Sequence, residues 1–90
     1  MPRVHVIVRG QVQGVGYRWF AVRQARHHEL TGWIRNRADG SVEAEVEGPQ
    51  AALEALLADL RSGPRHAVVS GVEAEWRDEV HGHTEFVIRD

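Results

Sequence analysis

The sequence predicts an α+β fold in which two helices cover one face of an antiparallel sheet. Three observations lead there. Strand-like and helix-like segments follow one another in the order β-α-β-β-α-β, with a short strand at the end. Each helical segment carries a single apolar stripe, so each needs one surface to pack on. The stretch from Val42 to Glu47 is apolar on one face and acidic on the other, as a strand covered on one side only would be. With 90 residues there is room for one core, and residues 1–90 are expected to form a single domain.

The first segment, Arg3 to Val12, is apolar at Val4, Val6, Ile7, Val8 and Val12 and reads as a central strand with little exposure. A glycine-punctuated stretch from Gly10 to Gly16 follows, then a helix from Tyr17 to His28 with Tyr17, Phe20, Ala21, Ala25 and His28 on one face. Thr31 to Arg37 is the next strand, and Ala38-Asp39-Gly40-Ser41 is a tight turn, because Asp-Gly supplies the positive φ a hairpin needs. Val42, Ala44 and Val46 then alternate with Glu43, Glu45 and Glu47, and the three glutamates are expected in water. Gly48-Pro49 opens the second helix, with Pro at its first helical position. Leu53, Leu56, Leu57 and Leu60 form its stripe, and Gly63-Pro64 ends it. Val72, Ala74 and Trp76 alternate with Glu73, Glu75 and Arg77, which predicts that Trp76 packs with the core. A polar link containing Gly82 leads to the last strand, Phe86 to Arg89. This order is that of the split-βαβ, or ferredoxin-like, architecture, which hosts many unrelated functions and decides none of them.

Composition narrows the functions open to such a domain. There is no cysteine, which excludes disulfides, thiol chemistry and Cys-ligated metals. All eleven basic residues are arginine and the net charge is −2, so there is no bulk attraction to nucleic acid or anionic lipid. No apolar run approaches the length of a membrane span, and the N-terminal residues show no signal-peptide pattern. A cytoplasmic protein that engages neither nucleic acid nor membrane is the expectation.

The stretch from Gly10 to Arg18, GQVQGVGYR, carries the most chemical information. Three glycines between a central strand and a helix start can turn successive backbone N–H groups toward one point. The helix start adds further unpaired N–H groups and partial positive charge. Arg18 brings a planar fork of donors matched to phosphate oxygens. An arginine opposes the dipole preference in a first helical turn, and a bound anion would resolve that conflict. A loop that merely turns the chain, with Arg18 in solvent, accounts for the same residues. It is not a nucleotide P-loop, since no Gly-Lys-Ser/Thr follows. The second stretch, Gly32-Trp33-Ile34-Arg35-Asn36-Arg37, ends the next strand, where the Asn36 amide could orient a water or simply cap the turn.

Residues 8 to 18 and 32 to 48 resemble the two signature segments of the acylphosphatase family. Gly48-Pro49, Gly63-Pro64 with Ala67 and Val68, and Phe86-Val87-Ile88-Arg89 also fall where that family has similar residues, so the likeness spans the chain. It implies a ferredoxin-like fold and hydrolysis of the carboxyl–phosphate bond of acyl phosphates, with no metal and no cofactor. It further implies that Gln13, Gly14, Val15, Gly16 and Tyr17 cradle the phosphate, that Arg18 clamps it, and that Asn36 holds the attacking water. Inorganic phosphate would then be product and inhibitor, and the chain a monomer. No base is evident beside Asn36, so the substrate's own phosphate is expected to take the water's proton. The chain departs from the family at Tyr17, where Phe is usual and a half-buried ring is expected. It departs again at His28-Glu29, where Leu-Gly is common, so Glu29 would be forced into a left-handed cap.

The remaining polar residues point elsewhere. His5, His27, His28, His66, His81 and His83 show no zinc-site spacing, and no metal site is expected. Glu43, Glu45, Glu47, Glu73 and Glu75 read as a solvated face with Arg35 and Arg77 as cross-strand partners. His28 is expected at a partly exposed helix edge, and Trp33 has no assigned role. Two other functions fit the fold: a non-catalytic anion- or RNA-binding module, against which the net charge argues, and a segment of a larger carbamoyl-phosphate-processing protein.

Overall fold

The computed structural model describes residues 1–90. In chain order the elements are β1 (Arg3–Gln11), α1 (Tyr17–His27), β2 (Thr31–Asn36), β3 (Val42–Glu47), α2 (Gln50–Ser62), β4 (Val68–Arg77) and β5 (Phe86–Ile88). The sheet order is β4-β1-β3-β2-β5. Four strands pair antiparallel as expected, but β5 pairs parallel to β2, with Phe86 opposite Gly32 and Ile88 opposite Ile34, so the sheet is mixed. Three residues of a terminal strand carry no signal for direction. The direction follows from the long polar link, which crosses the open face before the chain joins the edge.

Both helices lie on one face, and the core fills the space between them and the sheet. Val4, Val6 and Val8 of β1, Val42, Ala44 and Val46 of β3 and Ile34 of β2 meet the leucine stripe of α2 there. On α1 the buried face is Tyr17, Ala21, Val22 and Ala25; Phe20, expected on it, is only half-buried. The buried arc of α1 runs from Tyr17 through Ala21 and Ala25 to Val22, which leaves Phe20 just outside its other border. Pro49 caps α2 from outside the helix instead of occupying its first turn.

Two helix ends show how local chemistry sets the packing. Helix α1 stops in a Schellman arrangement: Leu30 N–H donates to the Ala25 carbonyl at 2.8 Å and Glu29 N–H to Arg26 at 3.0 Å. Glu29 takes the left-handed conformation this requires, with φ 57°. His28 is half-buried and its Nε2 lies 2.9 Å from the Asp59 carboxylate, tying α1 to α2. At the end of α2, the Leu60 carbonyl would ordinarily accept from residue 64, but that residue is proline and has no N–H. The Tyr17 hydroxyl donates to it instead, at 2.7 Å. Tyr17 is therefore fully buried, 1% exposed, where a half-buried ring was expected. Burial also pushes its phenol pKa well up. The hydroxyl thus serves a carbonyl that phenylalanine at this position would leave without that donor.

The other face of the sheet departs most from expectation. Glu45 and Glu47 are 6% and 4% exposed, because the link between β4 and β5 folds over them. Glu47 accepts the backbone N–H groups of His81, Gly82 and His83. Glu45 accepts Arg3 Nη1 on one oxygen, and His81 Nδ1 and His83 Nε2 lie 2.8 and 2.6 Å from the other. Trp76, on the edge strand β4 opposite the core residue Val4, is 40% exposed where core packing was expected.

Candidate active site

Pairing places the two informative sequence stretches at one end of the sheet. Val8 of β1 and Asn36 of β2 both pair with Val42 of β3, so the three stand in one row across the sheet. Val8 and Val42 are core residues, so this row faces the helices, and Asn36 faces with it. Just beyond the row, β1 bulges between Arg9 and Gly10 and runs into the glycine loop and the start of α1. A single end of the fold thus holds the loop, the first turn of α1 and the Asn36 amide.

The loop is built to present backbone donors. Gly14 and Gly16 have φ 75° and 78°, in the left-handed region, and a Cβ at either would meet nothing within 4 Å. Glycine is required here by conformation, not by crowding, and the space before the loop stays open. Gly16 caps α1 with no side-chain bond, and there is no acid in the first turn. The first backbone bond of the helix runs from Phe20 N–H to the Gly16 carbonyl, and no N–H from Gln13 to Arg18 has a partner within the chain. Arg18 is half-exposed and takes part in none of the ion pairs.

Gln13 does something the sequence did not indicate. Its side-chain Nε2 donates to the Arg37 and Ser41 carbonyls at 2.8 and 2.9 Å, which ties the loop to the β2–β3 hairpin beside Asn36. The hairpin end is set in turn by Asp39, which accepts both the N–H and the hydroxyl of Ser41. Those Ser41 bonds hold the Asp39 carboxyl below its usual range.

Asn36 Oδ1 is the one buried side-chain oxygen or nitrogen of the chain without a hydrogen-bond partner. A turn-capping asparagine would have spent that oxygen on a nearby N–H. Leaving such an acceptor unsatisfied costs about 1–3 kcal/mol, which favours a ligand or water that donates to it. The end of the fold therefore offers unpaired N–H donors, an unpaired guanidinium and one unpaired acceptor. That set suits an oxyanion together with a water.

Elsewhere, the one group of side chains able to hold a metal is Glu45, Glu47, His81 and His83, whose ligand atoms lie within 4.8 Å of one another. Spacing along the chain does not show this group, because β3 supplies its two carboxylates beneath His81 and His83. These carboxylates are already engaged by Arg3, the two imidazoles and the link's own N–H groups, an arrangement that clamps the link to the sheet. Burial tends to raise the Glu45 pKa, but His83, His81 and Arg3 outweigh it and hold the carboxyl below its ordinary value. Glu43 behaves alike: burial opposes, and His5 at 2.7 Å and Arg35 at 2.6 Å prevail. The Arg35 partnership matches expectation; Arg77 instead pairs along its own strand with Glu75. Trp33 acquires a place, with the Arg89 guanidinium 4.3 Å above its ring, which holds the chain's last residues against β2.

Comparison with known proteins places this geometry in context. The acylphosphatase family model matches residues 4–88. An acylphosphatase from Moorella thermoacetica is 48% identical over 99% of this chain and 95% of its own length. One from Salinibacter ruber is 46% identical over 97% of this chain and 92% of its own. The crystal structure of acylphosphatase from Bacillus subtilis superposes with a TM-score of 0.98, covering both chains in full at 36% identity.

Proposed function

The chain belongs to the acylphosphatase family and hydrolyses acyl phosphates to a carboxylate and inorganic phosphate; from that premise we propose that the loop from Gln13 to Tyr17, Arg18 and Asn36 carry out the reaction. The phosphoryl oxygens sit on the loop's unpaired N–H groups and on the Arg18 guanidinium. Asn36 Oδ1 accepts a hydrogen bond from a water and holds it against phosphorus. As the water's oxygen bonds to phosphorus, the bond to the acyl oxygen breaks and the carboxylate leaves with the electron pair. The water's proton passes to a phosphoryl oxygen. A carboxylate is a good leaving group, so no strong acid is needed and rate comes from positioning and charge stabilisation.

The observation that carries this reading is the unsatisfied Asn36 acceptor standing beside a row of unsatisfied donors. The buried acceptor is costly alone, and together with the donors it is complementary to a phosphate and a water. Gln13 belongs to the cradle through its backbone N–H, while its side chain holds the loop in place. Inorganic phosphate has the same oxygens as the substrate and acts as a competitive inhibitor. The loop, Arg18 and Asn36 lie at one end of one fold, in keeping with a single catalytic domain over residues 1–90 that acts as a monomer. A cytoplasmic location is part of the same proposal.

The test is hydrolysis of benzoyl phosphate followed by ultraviolet absorbance, in wild type and Arg18→Ala. The variant is expected to lose at least about 10²–10³ in kcat/KM and to bind inorganic phosphate more weakly. Near-native kcat/KM in a folded Arg18→Ala would remove the clamp from the mechanism.

A further inference from the structure

Beside the phosphate cradle, α1 and the edge strand β5 leave a groove of about 380 Å³, a size typical of small-molecule sites. Arg18 forms its near end, Trp19, Val22, Val87 and Ile88 its walls, and Arg26 its far end. Arg18 and Arg26 are eight positions apart on one helix, so the groove runs about 12 Å along α1. Trp19 is 62% exposed, the largest apolar side chain left in water on this helix. The Arg26 guanidinium is already used, donating to the Phe86 carbonyl at 3.2 Å. Between the two arginines the walls, Trp19, Val22, Val87 and Ile88, offer apolar surface.

We propose that this groove is the subsite for the acyl group, and that it selects acyl phosphates bearing an aromatic or several-carbon apolar acyl chain. The inference rests on the assignment of Arg18 to the phosphate. A phosphate held by that residue starts its acyl substituent at the groove's near end. An acetyl group is too short to reach Val22 or Val87, whereas a benzoyl ring can lie against Trp19 and cover apolar surface on both partners. Contact with the acyl group persists into the transition state, so it raises kcat/KM for apolar substrates.

The experiment compares kcat/KM for benzoyl phosphate and acetyl phosphate in wild type, Trp19→Ala, Trp19→Phe and Val87→Glu. Trp19 is exposed and Val87 lies on an edge strand, so the variants are expected to fold, which circular dichroism checks. The benzoyl-to-acetyl ratio is expected to fall about tenfold in Trp19→Ala and in Val87→Glu, the scale of losing one aromatic face from a contact. It is expected to recover most of the way in Trp19→Phe. A ratio unchanged in both Trp19→Ala and Val87→Glu would overturn the subsite while leaving the hydrolytic function intact. Failure of wild type to hydrolyse either compound would overturn the assignment of Arg18 and the subsite with it.

Discussion

Glu29 sits at φ 57°, the only residue other than glycine with positive φ, and it holds the Schellman turn that ends α1. A residue with a Cβ in that conformation costs roughly 1–2 kcal/mol. Its side chain is exposed and makes no ion pair, so nothing offsets the strain. Replacing it with glycine removes the strain but adds about 0.4–1 kcal/mol of chain entropy to the unfolded state. The net gain for Glu29→Gly is therefore about 0.5–1 kcal/mol, or roughly 2–8 °C in Tm for a domain of this size. Thermal denaturation followed by tryptophan fluorescence measures it, with Glu29→Ala as control. Alanine keeps a Cβ in the same conformation and should leave Tm nearly unchanged. Equal stabilisation by both substitutions would show that the gain comes from losing the carboxylate, and the backbone argument would be wrong. Activity should be unchanged in either variant, because Glu29 lies at the opposite end of α1 from the loop.

Two further outcomes are expected. Tyr17→Phe removes the donor that serves the Leu60 carbonyl and should destabilise the fold by about 1–2 kcal/mol, read from urea denaturation; equal stability would mean another donor reaches that carbonyl. Glu45 and Glu43 have folded pKa values below the ordinary value of 4.5, so they contribute stability at neutral pH that is lost as pH falls below about 4.5 and through those folded values. Glu45→Gln should accordingly lower stability at pH 7 and flatten its decline in acid, and an undiminished acid decline would assign that loss to other groups.

The parts of this molecule legible in the sequence are those set by local periodicity. The leucine stripe of α2 and the valine face of β3 are buried as their spacing requires, because a stripe has only one surface to cover. The turn at Asp39-Gly40 and the strained cap at Glu29 are likewise local. Residue contacts distant in sequence were not legible. The alternation of Glu43, Glu45 and Glu47 showed which face they occupy but not that residues 81–83 return to bury two of them. The direction of β5, the burial of Val22 but not of Phe20 and the Arg89–Trp33 contact have the same origin.

The site divides in the same way. Glycines before a helix and an arginine in its first turn fit an anion site from sequence, and fit equally a loop that only turns the chain with Arg18 in solvent. Asn36 looks the same in sequence whether it caps a turn or holds a water. The oxygen's lack of a partner within the chain, which bears on that choice, is a property of the packed structure. Gln13 is a polar loop residue with no sequence signal for its two bonds across to the hairpin.

The most direct test of the account is Asn36→Ala, with benzoyl phosphate turnover and inorganic phosphate binding measured on the same preparation. Asn36 is assigned to the water and the loop with Arg18 to the phosphate. The account predicts that turnover falls by about 10²-fold or more while phosphate still binds with near-native affinity. Near-native turnover, or loss of phosphate binding in step with turnover, would contradict it.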